Sequence, residues 1–174
     1  MKSGSPSSAN PSPSPRRVRV ATVCGMVSAI AGVAVLAGWL FQVPMLKSIL
    51  PGLVSMKPNT ALAFILAGLA LVLLAPPSPS PRCARAGQWL AWLVALIGAL
   101  TLGEFLFGWP LGIDELLFRD DPNAAGTLIP GRMAPSTAAC FVLLGLALMW
   151  IEWEPRPGFR PAEVLALVVA AEAL

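Results

Sequence analysis

Met133-Ala134-Pro135-Ser136-Thr137-Ala138-Ala139-Cys140-Phe141-Val142-Leu143-Leu144-Gly145-Leu146-Ala147-Leu148 has an echo in the same chain. The echo is Met56-Lys57-Pro58-Asn59-Thr60-Ala61-Leu62-Ala63-Phe64-Ile65-Leu66-Ala67-Gly68-Leu69-Ala70-Leu71, displaced by 77 positions. The shared pattern is M-x-P-[NS]-T-A-x-x-F-x-L-x-G-L-A-L. Each copy opens polar and continues as an apolar run, the signature of a helix beginning at a polar boundary. The two stretches read as the starts of two equivalent membrane helices.

Composition sets the surrounding class. Of 174 residues, 56% are hydrophobic and 12% charged, against about 25% charged in soluble domains. The reading is an integral membrane protein with the lipid bilayer as its first partner. The chain has no His, which removes the commonest metal ligand and near-neutral acid–base group, and with it any phospho-accepting histidine. Cys24, Cys83 and Cys140 are widely spaced and form no C-x-x-C pair, so neither a disulfide nor a metal site is expected. The net charge of +3 comes from basic residues between the apolar runs. That distribution argues for membrane orientation and against nucleic-acid binding.

A hydrocarbon core of about 30 Å takes about 20 helical residues. The expected spans are Val20–Phe41, Pro58–Ala75, Gly87–Phe107 and Pro135–Ile151, with a fifth from Pro161 to Leu174 that is cut short. The expected organisation is a disordered cytoplasmic tail over 1–17, a first helix-pair unit over 18–77, a second with a longer periplasmic loop over 78–155, and the start of a truncated further unit over 156–174. With the N-terminus in the cytoplasm, inner segments carry eight Lys and Arg residues and outer segments four, as the positive-inside rule requires. Trp39 and Trp109 fall at outer span ends, and Trp89, Trp92, Trp150 and Trp153 at inner ones, where interfacial anchoring is expected.

Leu40-Phe41-Gln42-Val43-Pro44-Met45 resembles Leu106-Phe107-Gly108-Trp109-Pro110-Leu111 at a displacement of 66. The second unit therefore carries an 11-residue insertion between Leu111 and Met133. Both units cross twice, so the duplication is parallel rather than inverted. The fold expected is all-α and integral to the membrane, built of tandem parallel helix pairs with four full spans and a truncated fifth. Small residues such as Gly68 and Gly145 mark its expected helix crossings.

Three places could carry function. Pro58, Asn59 and Thr60, like Pro135, Ser136 and Thr137, suit a helix start: Pro at the first position and side chains that satisfy free backbone groups. Such starts, beside Lys57 and Arg132, also attract anions. The insertion, with Asp114, Glu115, Arg119, Asp120 and Asp121 around Leu116, Leu117 and Phe118, reads as a short surface helix forming a lid. Its carboxylates lack EF-hand spacing. Glu104 is a carboxylate inside an apolar span and so a candidate for gating or pairing, with Arg119 or Arg132 as partner. No nucleophile–base pair, phosphate loop or metal cluster is visible, so no catalytic activity and no cofactor is expected.

At the two M-x-P-[NS]-T copies and the Gly112-Ile113-Asp114-Glu115-Leu116-Leu117-Phe118-Arg119-Asp120-Asp121-Pro122 loop, the chain resembles the N-terminal multi-helix membrane region of bacterial sensor histidine kinases and diguanylate cyclases. Ser136 stands where Asn is usual, and Ala139-Cys140 where Leu-Cys is commoner. The resemblance implies an inner-membrane sensory or anchoring module, a further helix pair, and then a PAS-linked output domain through which the protein would form a homodimer. It specifies no ligand. The alternatives are a fragment of a small transporter or permease, or a passive membrane tether.

Overall fold

The computed structural model describes residues 14–48, 55–120, 129–156 and 158–172. Their regular structure is helical: α1 (Pro15–Leu40), α2 (Pro44–Lys47), α3 (Pro58–Leu74), α4 (Pro81–Phe107), α5 (Pro135–Met149) and α6 (Pro161–Glu172). The tail expected over 1–17 lies outside the described residues as far as residue 13.

Every helix begins with proline, whose missing N–H costs nothing in a first turn. The long helices begin before their apolar runs. Ser14-Pro15-Arg16 opens α1 and Ser80-Pro81-Arg82 opens α4. The Ser80 hydroxyl accepts the Cys83 N–H at 3.2 Å, a side-chain cap. At the other end both helices unwind through a left-handed residue, Gln42 at φ 56° and Gly108 at φ 65°. Glycine takes that conformation freely. Gln42 is held in it by bonds from its own Nε2 to the Trp39 carbonyl (3.0 Å) and from Lys47 Nζ to its Oε1 (2.8 Å).

These lengths overturn the expected span count. Only α1, with 26 residues, and α4, with 27, are long and apolar enough to cross a membrane by length and composition. At 1.5 Å per residue they reach about 40 Å. α3 has 17 residues, α5 has 15 and α6 has 12, so that α3 and α5 reach only about 26 and 23 Å, short of a 30 Å core. Four full spans and a fifth are therefore not present among the described residues. The apolar runs were read to their last hydrophobic residue, whereas α3 stops before Pro76-Pro77 and α5 before the Trp150–Glu152 turn. α1 exposes Val20, Val23, Met26, Val27, Ile30 and Val33, an apolar face compatible with membrane association.

The helices pack in the order α1, α3, α4, α5, with α6 against α5. Neighbours run antiparallel. A Cβ on Gly25 would lie 2.7 Å from the Gly68 carbonyl, and one on Gly32 2.7 Å from Ile65 Cγ1, so the contact descends α3 as it climbs α1. In the second pair Gly145 meets Ala91 and Ala95, and Gly98 meets Ala138 and Val142. Gly25 and Ala91 stand 66 apart, Gly68 and Gly145 77 apart, so the close approach is made by corresponding residues in both pairs. Small residues permit this backbone proximity. Ser28 adds a hydrogen bond to the Phe64 carbonyl at 3.0 Å. The core between the pairs is built from Ala63, Ala67, Ala91, Val94, Phe141 and their neighbours. Phe64 and Phe141, corresponding members of the two copies, meet edge to face at 5.4 Å.

Candidate functional site

Asp114 and Asp120 of the insertion, Glu104 of α4, and Lys57 and Arg132 ahead of α3 and α5 converge on one polar layer at the end of the bundle where α3 and α5 begin. Lys57, Asn59, Thr60, Thr101, Glu104, Asp114 and Asp120 are all buried there.

Two ion-pair groups build it. Lys57, just before α3, pairs with Asp120 of the insertion, with both side chains almost wholly buried. Asp120 Oδ2 also accepts the Gly131 N–H at 3.0 Å. Gly131 has φ 72°, and a Cβ there would lie 2.5 Å from the Asp114 carbonyl, so glycine alone fits this crossing of two loop strands. The second group centres on Arg132. Its Nε donates to Asp114 Oδ2 at 2.6 Å, its Nη2 lies 3.4 Å from Glu104 Oε2, and its guanidinium sits over the Phe105 ring at 5.2 Å. Glu104 Oε1 accepts the Leu111 N–H at 3.1 Å. Arg132 is thus the partner of Glu104. Arg119 is exposed and outside both groups among the described residues.

Among its described residues the insertion is not helical: 111–120 form turns, bends and irregular backbone. Asp114 and Asp120 point inward to cations, and the Asn59 amide donates to the carbonyls of Ile113 (3.0 Å) and Asp114 (3.5 Å). Side-chain bonds of this kind compete with a helical ladder. Exposed Glu115 takes no cation and instead accepts the Asp120 N–H at 3.1 Å. Asp121 lies outside the described residues.

The two copies of P-[NS]-T meet opposite fates. Pro58, Asn59 and Thr60 are buried under the insertion, whereas Pro135 and Ser136 are exposed and Thr137 half-buried. Pro58 and Pro135 do open their helices, but Lys57 and Ala134 occupy the cap positions without a side-chain cap bond. Asn59 serves the loop rather than its own helix.

Trp39 also departs from expectation. It is 4% exposed, donates Nε1–H to the Met56 carbonyl at 2.9 Å, and packs at 6.1 Å from Phe118. Lys47 lies 4.3 Å over its ring. Trp39 therefore joins α1 to the insertion instead of anchoring at an interface. Trp89, Trp92, Trp109 and Trp153 are exposed and Trp150 is half-buried. Lys57, expected beside an anion-attracting helix start, pairs instead with Asp120, and α2 and Thr101 have no counterpart among the residues expected from sequence. The Val43-Pro44 step was the available signal for α2.

Beside the layer is a cavity of about 520 Å³ whose lining includes Lys47, Lys57, Thr60, Phe105, Arg132 and Thr137. Among the described residues no group of three or more His, Cys, Asp or Glu side chains could hold a metal ion. Comparison with protein-family models, with curated proteins and with solved structures finds no match for this chain.

Proposed function

We propose that the chain is the membrane-embedded sensory or anchoring module of a bacterial signal-transduction protein, joined to a histidine kinase or diguanylate cyclase output and dimeric through that output. The observation that carries this reading is the way one loop holds both helix pairs. Asp120 grips Lys57 at the start of α3, while Asp114 grips Arg132 ahead of α5 and beside Glu104 of α4. A stimulus that moves the loop must change how the two pairs pack, and a ligand shifts such an equilibrium only through a differential affinity for the two packings. The adjoining cavity offers a place for that difference to arise.

The same reading puts the chain in the bacterial inner membrane, multi-pass, with its N-terminus cytoplasmic. Arg16, Arg17 and Arg19 open α1, and basic residues favour the cytoplasmic side.

The full-length gene product tests the proposal. Exchanging residues 14–172 for an unrelated membrane anchor should abolish stimulus-dependent output while leaving basal output. Retained stimulus dependence would reduce the segment to a tether. A downstream run of further apolar helices without a soluble domain would replace the signalling reading with transport.

A further inference from the structure

Glu104 and Asp114 leave an imbalance that the ion pairs do not resolve. Two buried carboxylates, 2% and 6% exposed, face a single guanidinium. Glu104 Oε1 is satisfied by the Leu111 N–H and Asp114 Oδ2 by Arg132 Nε. Glu104 Oε2 and Asp114 Oδ1 are buried without a hydrogen-bond partner. The Thr101 hydroxyl, on a residue with no exposure, is also without a partner. Thr101 lies three residues before Glu104, on the same face of α4.

The other groups around the pair supply no compensation. From the α3 side Lys57 is committed to Asp120, and the Asn59 amide addresses loop carbonyls. From the insertion Glu115 is exposed and bonded to the Asp120 N–H, and Arg119 is exposed. On the Arg132 side the neighbour is the Phe105 ring. An uncompensated buried charge is costly, and buried polar atoms are ordinarily bonded. One added positive charge would neutralise the cluster. Hard metal cations take six or more oxygens, whereas among the described residues only three oxygens here lack a hydrogen-bond partner, and a guanidinium already lies against both carboxylates. A proton needs two.

We propose that Glu104 and Asp114 form a proton-binding site, one proton being shared between Glu104 Oε2 and Asp114 Oδ1 beside the Thr101 hydroxyl. The proton enters from water and no bond other than O–H forms. With it bound, the carboxyls attract one another and Asp114 keeps the insertion closed on α4. With it lost, the two carboxylates repel across one guanidinium, and the insertion is freed on its Asp114 side while Lys57–Asp120 still holds the other. The pair gains and loses this proton as one unit. Its use as a signal rests on the signalling reading above; its existence does not.

Infrared difference spectroscopy of the full chain in lipid nanodiscs, titrated with acid and base, tests the site without any output domain. The expected result is one carboxylic C=O band, sensitive to deuterium exchange, that Glu104→Gln and Asp114→Asn each remove, because each leaves a single carboxyl group facing the Arg132 guanidinium. Thr101→Val should shift the band without abolishing it. Replacing sodium by choline should leave it unchanged. Circular dichroism reports whether each variant keeps its helices, and the isosteric Asp114→Asn stands in if Glu104→Gln does not fold. Absence of the band at every pH where the wild type keeps its helicity would overturn the site, as would its survival in both variants. A sodium-dependent spectrum would overturn it in favour of a metal ion. Presence of the band with pH-independent output in the full-length protein would refute the proton's use as a signal alone.

Discussion

Lys57 and Asp120 form an ion pair across 63 residues of sequence, with both side chains nearly sealed from solvent. Lys57 introduces the returning helix of the first pair, and Asp120 belongs to the loop of the second. Neither half of the molecule can close its polar end without the other.

Breaking this pair from one side should be costly. Lys57→Met and Asp120→Asn each strand a buried group, a loss of roughly 3–5 kcal/mol for a buried pair. The Lys57→Met/Asp120→Asn double variant should lose less than the sum of the single substitutions. Unfolding midpoints in detergent, arranged as a double-mutant cycle, read the coupling directly; additive losses would show that the pair contributes no coupling.

Asn59 and Ser136 occupy the same place in the two echoed stretches, yet their loss should be unequal. Asn59→Ala removes the donor that satisfies the Ile113 carbonyl in a buried setting, worth about 1–3 kcal/mol. Ser136→Ala alters an exposed residue at a helix start without a cap bond and should stay within about 0.5 kcal/mol. Thermal melts of the two variants make the comparison, and equal losses would contradict burial of the first start alone.

The glycines separate in the same manner. A Cβ at Gly145 would lie 2.6 Å from the Ala95 amide nitrogen and 2.8 Å from the Ala91 carbonyl. Gly145→Val must therefore drive α4 and α5 apart. At Gly103 the nearest neighbour would be 3.9 Å away, so Gly103→Ala meets no clash and should gain up to about 1 kcal/mol of helix propensity. Cross-linking between cysteines placed on α4 and α5 should fall in the first variant and persist in the second.

Trp39 offers a probe of the loop. Trp39→Phe keeps one aromatic ring but deletes the Nε1–H bond to Met56 and part of the buried indole, a loss of at least about 1 kcal/mol. Amide exchange at Met56 and along 113–120 should accelerate in this variant while the centre of α3 remains protected. Faster exchange throughout α3 would mean that the bond supports the helix rather than the loop.

Topology is open to a direct assay. A reporter active only in the periplasm should be silent when fused ahead of Arg16 and active when fused after Lys47, beyond α1. The opposite pattern would reverse the proposed orientation.

Much of the local structure was legible in the chain because its signals act over a few residues. Apolar runs locate α1, α3, α4 and α5, prolines mark their first turns, and Gly68 and Gly145 fall where helices cross. The serine–proline starts at Ser14-Pro15 and Ser80-Pro81 were equally local, although the apolar runs drew the boundaries inward. Helix length was less legible, since hydrophobicity continues past the residues where turns end α3 and α5. Tertiary structure alone decided the polar layer. In sequence Asp114, Glu115, Arg119 and Asp120 are equivalent charges in one loop, and the two P-[NS]-T stretches are equivalent helix starts. Packing α3 between α1 and α4 brings the loop over one start and leaves the other exposed. Which charges turn inward then depends on the buried partners that distant segments supply: Lys57 for Asp120, and Arg132 for Asp114 and Glu104.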